Sequence, residues 1–331
     1  MHTIEDTQTL QAQLDAWRAQ GQTVALVPTM GNLHPGHLSL VTHARRQADR
    51  VVMTVFVNPL QFGPDEDFDR YPRTLDHDQT QARQAGVDLL WLPQQDALYP
   101  KNTAQTGRGL DASTATVTRV CADARVAADF EGADRPGHFD GVATIVAKLF
   151  LTVQPNIAVF GQKDLQQYAV IQTMVRDLGF PVQLVRAPIV REKDGLAMSS
   201  RNQYLSPADR QIAPMLYQTL VETAQCLQST QNEAGEQPEQ CITQAQAALA
   251  QAGLAVHYLA WVDLSHWQTK VAWTAKTGLK IAQSQPASQF VDDSQTEVGA
   301  THPLSVQNTA LIVAAQLGST RLLDNVIVTA P

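Results

Sequence analysis

Two histidines three apart, His34 and His37, straddle Gly36 in the stretch Pro28-Thr29-Met30-Gly31-Asn32-Leu33-His34-Pro35-Gly36-His37. Imidazoles so placed can hold phosphate oxygens, bind a metal or carry a proton. A metal is disfavoured, because no Glu follows in the register of a zinc-binding helix and no cysteine lies near. Two more stretches bear cations beside small or polar residues: Gly161-Gln162-Lys163-Asp164 and Met198-Ser199-Ser200-Arg201. Hydroxyls next to an arginine fork can wrap phosphate oxygens. Each stretch also has a plainer reading, since histidines near a turn are commonly solvated and a Ser-Ser-Arg run is an ordinary surface loop. Together they point to one anion held from several sides.

Such residues act together only if the elements around them converge. The apolar run Thr23-Val24-Ala25-Leu26-Val27 leads into the histidine stretch, and an amphipathic run, Leu38 to Ala48, leaves it. That order predicts a buried strand, a glycine turn and a helix whose N-terminus faces the turn. Backbone N–H groups and the positive end of the helix dipole then aim at one point, where a phosphate can sit. Asn156 to Phe160 followed by Gly161 and Lys163 repeats the arrangement, although the spacing is too short for a Walker loop.

Between these stretches, Val51 to Val57 reads as a strand covered on both faces. Asn58 and Gln61 lie at its end, where a parallel sheet places its ligand crevice, though Asn58-Pro59 can also be a simple turn former. A helix is expected from Asp6 or Thr7 to Ala19, another from Asp76 to Gln84, and a strand over Asp88 to Leu92. Residues 94–113 read as loop and Thr114 to Cys121 as an additional strand. Arg135 and His138 open a helical pattern through Val142, Ile145, Val146, Leu149 and Phe150, where they suit either an anion or simple capping and packing. Pro181 to Pro188 reads as a strand, Pro207 to Leu227 as one long helix, Ser229 to Gln240 as a Gln/Glu-rich linker, Cys241 to Ala252 as a helix and Leu254 to Leu264 as a strand. The alternation predicts an α/β fold, a doubly wound parallel sheet over residues 1–187, with a smaller α+β domain over 188–331.

Composition narrows the classes. The chain has 331 residues, 44% hydrophobic and 17% charged, enough for a sizeable core. The net charge of −8, with no polybasic block, argues against a nucleic-acid partner. No apolar run approaches the roughly 20 residues of a membrane helix, and Met1 to Asp6 lacks the layout of a secretory signal. Cys121, Cys226 and Cys241 show no C-x-x-C spacing and cannot all pair, so reduced thiols in a cytoplasm are expected.

Taken together, the blocks Pro28 to His37, Val57 to Gly63 with Tyr71-Pro72-Arg73-Thr74, Glu131-Gly132 with Arg135 to Lys148, Phe160 to Gln167 with Pro188 to Ser206, and Leu317 to Asn325 resemble the pantoate–β-alanine ligase (pantothenate synthetase) family. That family belongs to the H-x-G-H nucleotidyltransferases, and the likeness runs in order over residues 20–265 and 308–328. It implies a Rossmann-like sheet and ATP-dependent condensation of pantoate with β-alanine to pantothenate, a coenzyme A precursor, with release of AMP and pyrophosphate. A related adenylyl- or cytidylyltransferase acting on a small metabolite is the alternative.

Carried onto this chain, the resemblance makes Met30, Gly31, Asn32, Leu33, His34, Pro35, Gly36 and His37 the ATP loop, with His34 and His37 against the phosphates and His37 a candidate proton donor. It makes Gly161, Gln162, Lys163 and Asp164 the adenosine and phosphate segment, Val190 a nucleotide contact, and Met198, Ser199, Ser200 and Arg201 a second phosphate lid closing from the other domain. The catalytic set would be His34, His37, Lys163 and Arg201, with Gln61 and Gln167 holding pantoate and Gln61 also meeting β-alanine. Mg²⁺ would bridge ATP phosphates, with Asp76 and Asp78 as outer partners, and the protein would be a homodimer. Residues 266–307 are longer than the hairpin region expected there and read as a surface or dimer-proximal extension.

Overall fold

The computed structural model describes residues 1–99, 117–229, 237–281 and 309–328. It divides into two compact units, Met1–Tyr204 and Leu205–Pro331.

The first unit is built on six parallel strands, β1 (His2–Ile4), β2 (Val24–Thr29), β3 (Arg50–Val55), β4 (Leu89–Trp91), β5 (Ile157–Gly161) and β6 (Gln183–Ala187). Their order is β1-β4-β3-β2-β5-β6. The chain winds outward from β2 through β3 to β4, then returns to place β5 on the other side of β2. The reversal between β2 and β5 opens a crevice at the carboxyl ends of both strands, where such sheets bind ligands.

The helices are α1 (Thr7–Ala19), α2 (Pro35–Arg45), α3 (Leu75–Ala85), α4 (His138–Val153) and α5 (Leu165–Leu178), together with shorter turns. Asp6 caps α1 by accepting from the Thr9 amide at 2.7 Å. The stripe Leu40, Val41 and Ala44 of α2 packs with Ala25, Val27, Val51 and Met53 of the sheet and Ala82 of α3 in one buried cluster. α4 buries residues around nearly its whole circumference, as a helix enclosed by other elements must. Residues 117–121 are irregular, so the described part of the strand expected over Thr114–Cys121 is absent.

The first unit extends to Tyr204, beyond the boundary expected at residue 188. Two contacts tie the segment back, a bond from the Ser200 hydroxyl to the Asn32 carbonyl and an ion pair between Arg201 and Asp67, while an antiparallel bridge between Arg191 and Ala197 folds the segment on itself.

The second unit holds a five-stranded antiparallel sheet, ordered β11-β10-β7-β8-β9, from β7 (Ala255–Asp263), β8 (Gln268–Thr274), β9 (Gly278–Ile281), β10 (Thr309–Leu317) and β11 (Thr320–Val328). It also contains α6 (Met215–Ser229) and α7 (Pro238–Gln251). The long helix expected from Pro207 breaks after Ile212, because Pro214 offers no N–H and its ring crowds the preceding turn. The early part of the expected 266–307 extension forms β8 and β9, and residues 282–307 lie outside the described set. Cys226 of α6 and Cys241 of α7 form a disulfide, which corrects the expectation of three reduced thiols; Cys121 is free and exposed. The spacing gave no sign of the bond, because the two helices bring residues 15 apart face to face. Among the described residues, no helix is long and apolar enough to cross a membrane.

Candidate functional site

One cavity opens at the carboxyl ends of β2, β3 and β5, lined there by Pro28, Thr29, Thr54, Phe160 and Gly161. Its wall includes Met30, His34, Gly36 and His37 from the first loop, Lys163, Asp164 and Gln167 from the turn after β5, and Val190, Met198, Ser199, Ser200 and Arg201 from the later segment. Gln61 lines it as well. The three stretches singled out by their cations therefore face a single space within one unit. The later segment does not belong to the second unit, contrary to the expected lid from the other domain.

The loop after β2 is held from outside the cavity. Gly31 and Asn32 both take left-handed backbone, φ +87° and +49°, a conformation glycine and asparagine tolerate best. This turns the amides of Asn32 and Leu33 onto the buried Asp78 carboxylate, at 3.0 and 2.7 Å, and the Thr74 hydroxyl adds a third bond at 3.1 Å. Gly31, Asn32, Leu33 and Pro35 accordingly do not line the cavity, nor does Gln162. The part of these loop residues in the expected ATP loop is to shape it.

His34 caps α2. Its Nδ1 accepts the Gly36 amide at 3.1 Å, while the His37 Nδ1 accepts the His34 amide at a longer 3.4 Å. A backbone N–H can only donate, so both neutral rings carry their proton on Nε2. Gly36 is required by this packing, since a Cβ there would meet the His34 ring at 2.8 Å. Burial, then Lys163, pushes His34 down to about 4; burial, then His34, pushes His37 down to about 3. Both rings are neutral near pH 7 and act as N–H donors.

The permanent charges sit opposite carboxylates. Lys163 lies 3.2 Å from Asp164. Burial raises the Asp164 carboxyl, but Lys163, Arg201 and His138 together outweigh it and hold the group below its ordinary range. Arg201 makes a two-pronged pair with Asp67, at 3.0 and 2.8 Å, and lies over the Tyr71 ring. Arg135 is committed to Glu66, at 2.7 Å through Nε, and to the Gln61 carbonyl. His138 is buried and directs Nδ1 to the same carbonyl at 2.7 Å. Burial, then Arg135, pushes it down to about 4. Arg135 and His138 both brace the 3-10 turn Pro59–Gln61 through the Gln61 carbonyl, and both also line the cavity.

The sequence reading missed the aliphatic wall. Val142, Ile145, Val146 and Leu149 of α4 line the cavity with Phe56 and Phe62. Their signal was present in the apolar residues of α4, which were read only as a helical pattern.

A magnesium site made by the chain alone does not fit. Asp78 directs its oxygens to Asn32, Leu33 and Thr74, and Asp76 is exposed and outside the cavity. Among the described residues, no group of three or more His, Cys, Asp or Glu side chains could hold a metal ion.

The chain's residues 2–327 match the family model described as pantoate-beta-alanine ligase. It is 46% identical over 325 residues to a pantothenate synthetase of Xanthomonas campestris pv. campestris (strain B100), covering 98% of this chain and 99% of that one. It is 42% identical over 328 residues to that of Hydrogenovibrio crunogenus, covering 99% of each. The crystal structure of pantothenate synthetase from Thermus thermophilus is similar with a TM-score of 0.78 at 40% identity, covering 99% of this chain and 100% of the other. A pantoate-beta-alanine ligase from Francisella tularensis, complexed with beta-gamma ATP and beta-alanine, is similar with a TM-score of 0.68 at 25% identity, covering 99% and 97%.

Proposed function

The chain belongs to the pantoate-beta-alanine ligase family, and from that premise we propose that it condenses (R)-pantoate with β-alanine at the cost of ATP, through a pantoyl adenylate. A carboxylate does not acylate an amine in water, because its leaving group would be oxide. Attack of a pantoate carboxylate oxygen on the α-phosphorus of ATP expels pyrophosphate and leaves a mixed anhydride. The β-alanine nitrogen then attacks the activated carbonyl, AMP departs with the bonding pair, and the amine loses a proton.

The observation that carries this reading is that His34, His37, Lys163 and Arg201 share one cavity with Gln61, Gln167 and an aliphatic wall. The four nitrogen-bearing side chains suit a triphosphate, whose charge grows on the leaving group. Glutamine amides beside Val142 and Val146 suit a small hydroxy acid with a branched carbon skeleton. Asp164 and Val190 line the same cavity, which supports the reading that Asp164 accepts from a ribose hydroxyl and Val190 contacts the nucleotide. The protein acts mostly by gathering anions in a fixed geometry. Mg²⁺ enters as part of the MgATP substrate, in keeping with its preference for phosphate oxygens and water. The enzyme is a cytoplasmic homodimer in this proposal, its location following from its ATP substrate and its assembly from the family resemblance.

The test is isotope exchange between pyrophosphate and ATP. Exchange that requires pantoate, and mass spectra showing pantothenate with free AMP, are the expected results. Exchange without pantoate, or a product that keeps the nucleotide, would replace this reading with a nucleotidyltransferase. Light scattering in solution checks the dimer.

A further inference from the structure

A chain of buried hydrogen bonds begins at Tyr99 and ends in the cavity. The Tyr99 hydroxyl donates to Asn58 Oδ1 at 2.8 Å. Asn58 Nδ2 donates to Gln61 Oε1 at 3.1 Å and to the Gly141 carbonyl at 3.1 Å. Gln61 Nε2 then faces Met30 Sδ at 2.8 Å. Tyr99 and Asn58 are 1% and 2% exposed, so water does not compete for these bonds.

The order of donors along this chain is dictated by chemistry. The Leu60 amide lies 3.3 Å from the same Asn58 oxygen, and an amide can only donate. The Gly141 carbonyl can only accept, so the other end of the Asn58 side chain must be its NH₂ group. The Gln61 atom facing that NH₂ is then an oxygen, and the Gln61 NH₂ is left for the cavity. The Tyr99 hydroxyl supplies the shortest bond onto Asn58, and burial pushes its proton loss far above neutral pH. The turn is also pinned at its backbone: a Cβ on Gly141 would fall 2.1 Å from the Leu60 carbonyl oxygen, so α4 lies directly against it.

We propose that Tyr99 is a positioning residue, whose buried hydroxyl fixes Asn58 and through it holds the Gln61 amide with its NH₂ group presented to the pantoate oxygens. Tyr99 touches no reacting atom; it keeps the Gln61 donor from rotating to offer an oxygen to an anionic substrate. The inference rests on the reading that Gln61 contacts pantoate.

Tyr99→Phe removes one oxygen and keeps the ring. Steady-state kinetics of the full-length variant, with each substrate varied in turn, should show kcat/KM for pantoate reduced about tenfold, the scale of one buried hydrogen bond. The KM for ATP should stay within about twofold, a split that general loosening of the fold would not give. In a Gln61→Ala background, adding Tyr99→Phe should change nothing further, because the group it positions is gone. Three results would overturn the role: an unchanged kcat/KM for pantoate in Tyr99→Phe, an equal loss for ATP, or an equal loss in the Gln61→Ala background. A Gln61→Ala enzyme with normal pantoate kinetics would instead remove the underlying assignment of Gln61. Should Tyr99→Phe fail to fold, Asn58→Asp asks the same question by putting an acceptor where Gln61 Oε1 needs a donor. It should lose at least about tenfold in pantoate kcat/KM, and normal pantoate kinetics there would equally overturn the proposal.

Discussion

A neutral imidazole and a lysine ammonium do different work on a triphosphate. With His34 and His37 both driven far below 6.5, chiefly by burial, the fixed positive charge at the cavity comes from Lys163, Arg201 and Arg135. Lys163→Ala should therefore lose roughly 2–4 kcal/mol of transition-state stabilisation, about 30- to 1,000-fold in rate, with little change in folding. Turnover and thermal unfolding of the same variant check both halves. His138 gives a second prediction at this scale. Its pKa is about 4 in the folded chain against 6.5 for the free side chain. As pH falls, the unfolded chain takes this proton first. The contribution of His138 to stability is thus complete above pH 6.5 and is lost as pH drops towards about 4. Urea unfolding should show a steeper acid loss for the wild type than for His138→Gln. These side chains were legible in the sequence because histidine, lysine and arginine advertise their chemistry wherever they stand. Asp78 was legible only as a carboxylate, which the family resemblance made an outer partner of Mg²⁺. Its use as a backbone acceptor depends on the left-handed turn at Gly31 and Asn32, which residue type alone does not announce.

Strand, turn and helix could be read in order along the first unit because each apolar run ends at a glycine, proline or capping residue. The β2–α2 and β5–α5 junctions fall where Gly31, Gly36 and Gly161 placed them. The helix expected from Pro207 to Leu227 was misread because its apolar spacing continues across Pro214, and periodicity carries no penalty for a missing N–H. What α3 does for the first loop was also invisible, since the two elements are joined only through space. Asp78 near the start of α3 supplies the acceptor that shapes the loop after β2. Asp78→Ala leaves two amides without that acceptor, a cost of about 1–3 kcal/mol for each buried donor. The KM for ATP should rise more than that for pantoate, and Asp78→Asn should fall between wild type and Asp78→Ala. Thermal melts paired with substrate titrations measure both effects; equal shifts in the two KM values would contradict the assignment.

For the molecule as a whole, the two units draw their stability from different sources. The first rests on a six-stranded sheet enclosed by helices, and the second adds a covalent link between α6 and α7. A closed loop of 15 residues is worth about 3 kcal/mol by chain-entropy arguments. Cys226→Ser should lower the unfolding free energy of the second unit by about that amount and leave ATP binding, proposed above for the cavity of the first unit, unaltered. Calorimetry with and without reductant, together with ATP titration, checks both. Alkylation of freshly lysed cells would report whether the bond exists where the enzyme works.

The sheet order also governs how this protein can be made. β2 is synthesised early, yet its partner β5 begins at Ile157, and the cavity wall is not finished until Arg201. A ribosome must therefore add well over a hundred residues while one edge of β2 waits for its neighbour, and non-local parallel pairing of this kind forms slowly. A nascent chain stalled before β5 would expose that apolar edge and have no competent site, which makes this interval the time when the protein most needs shielding from its own copies.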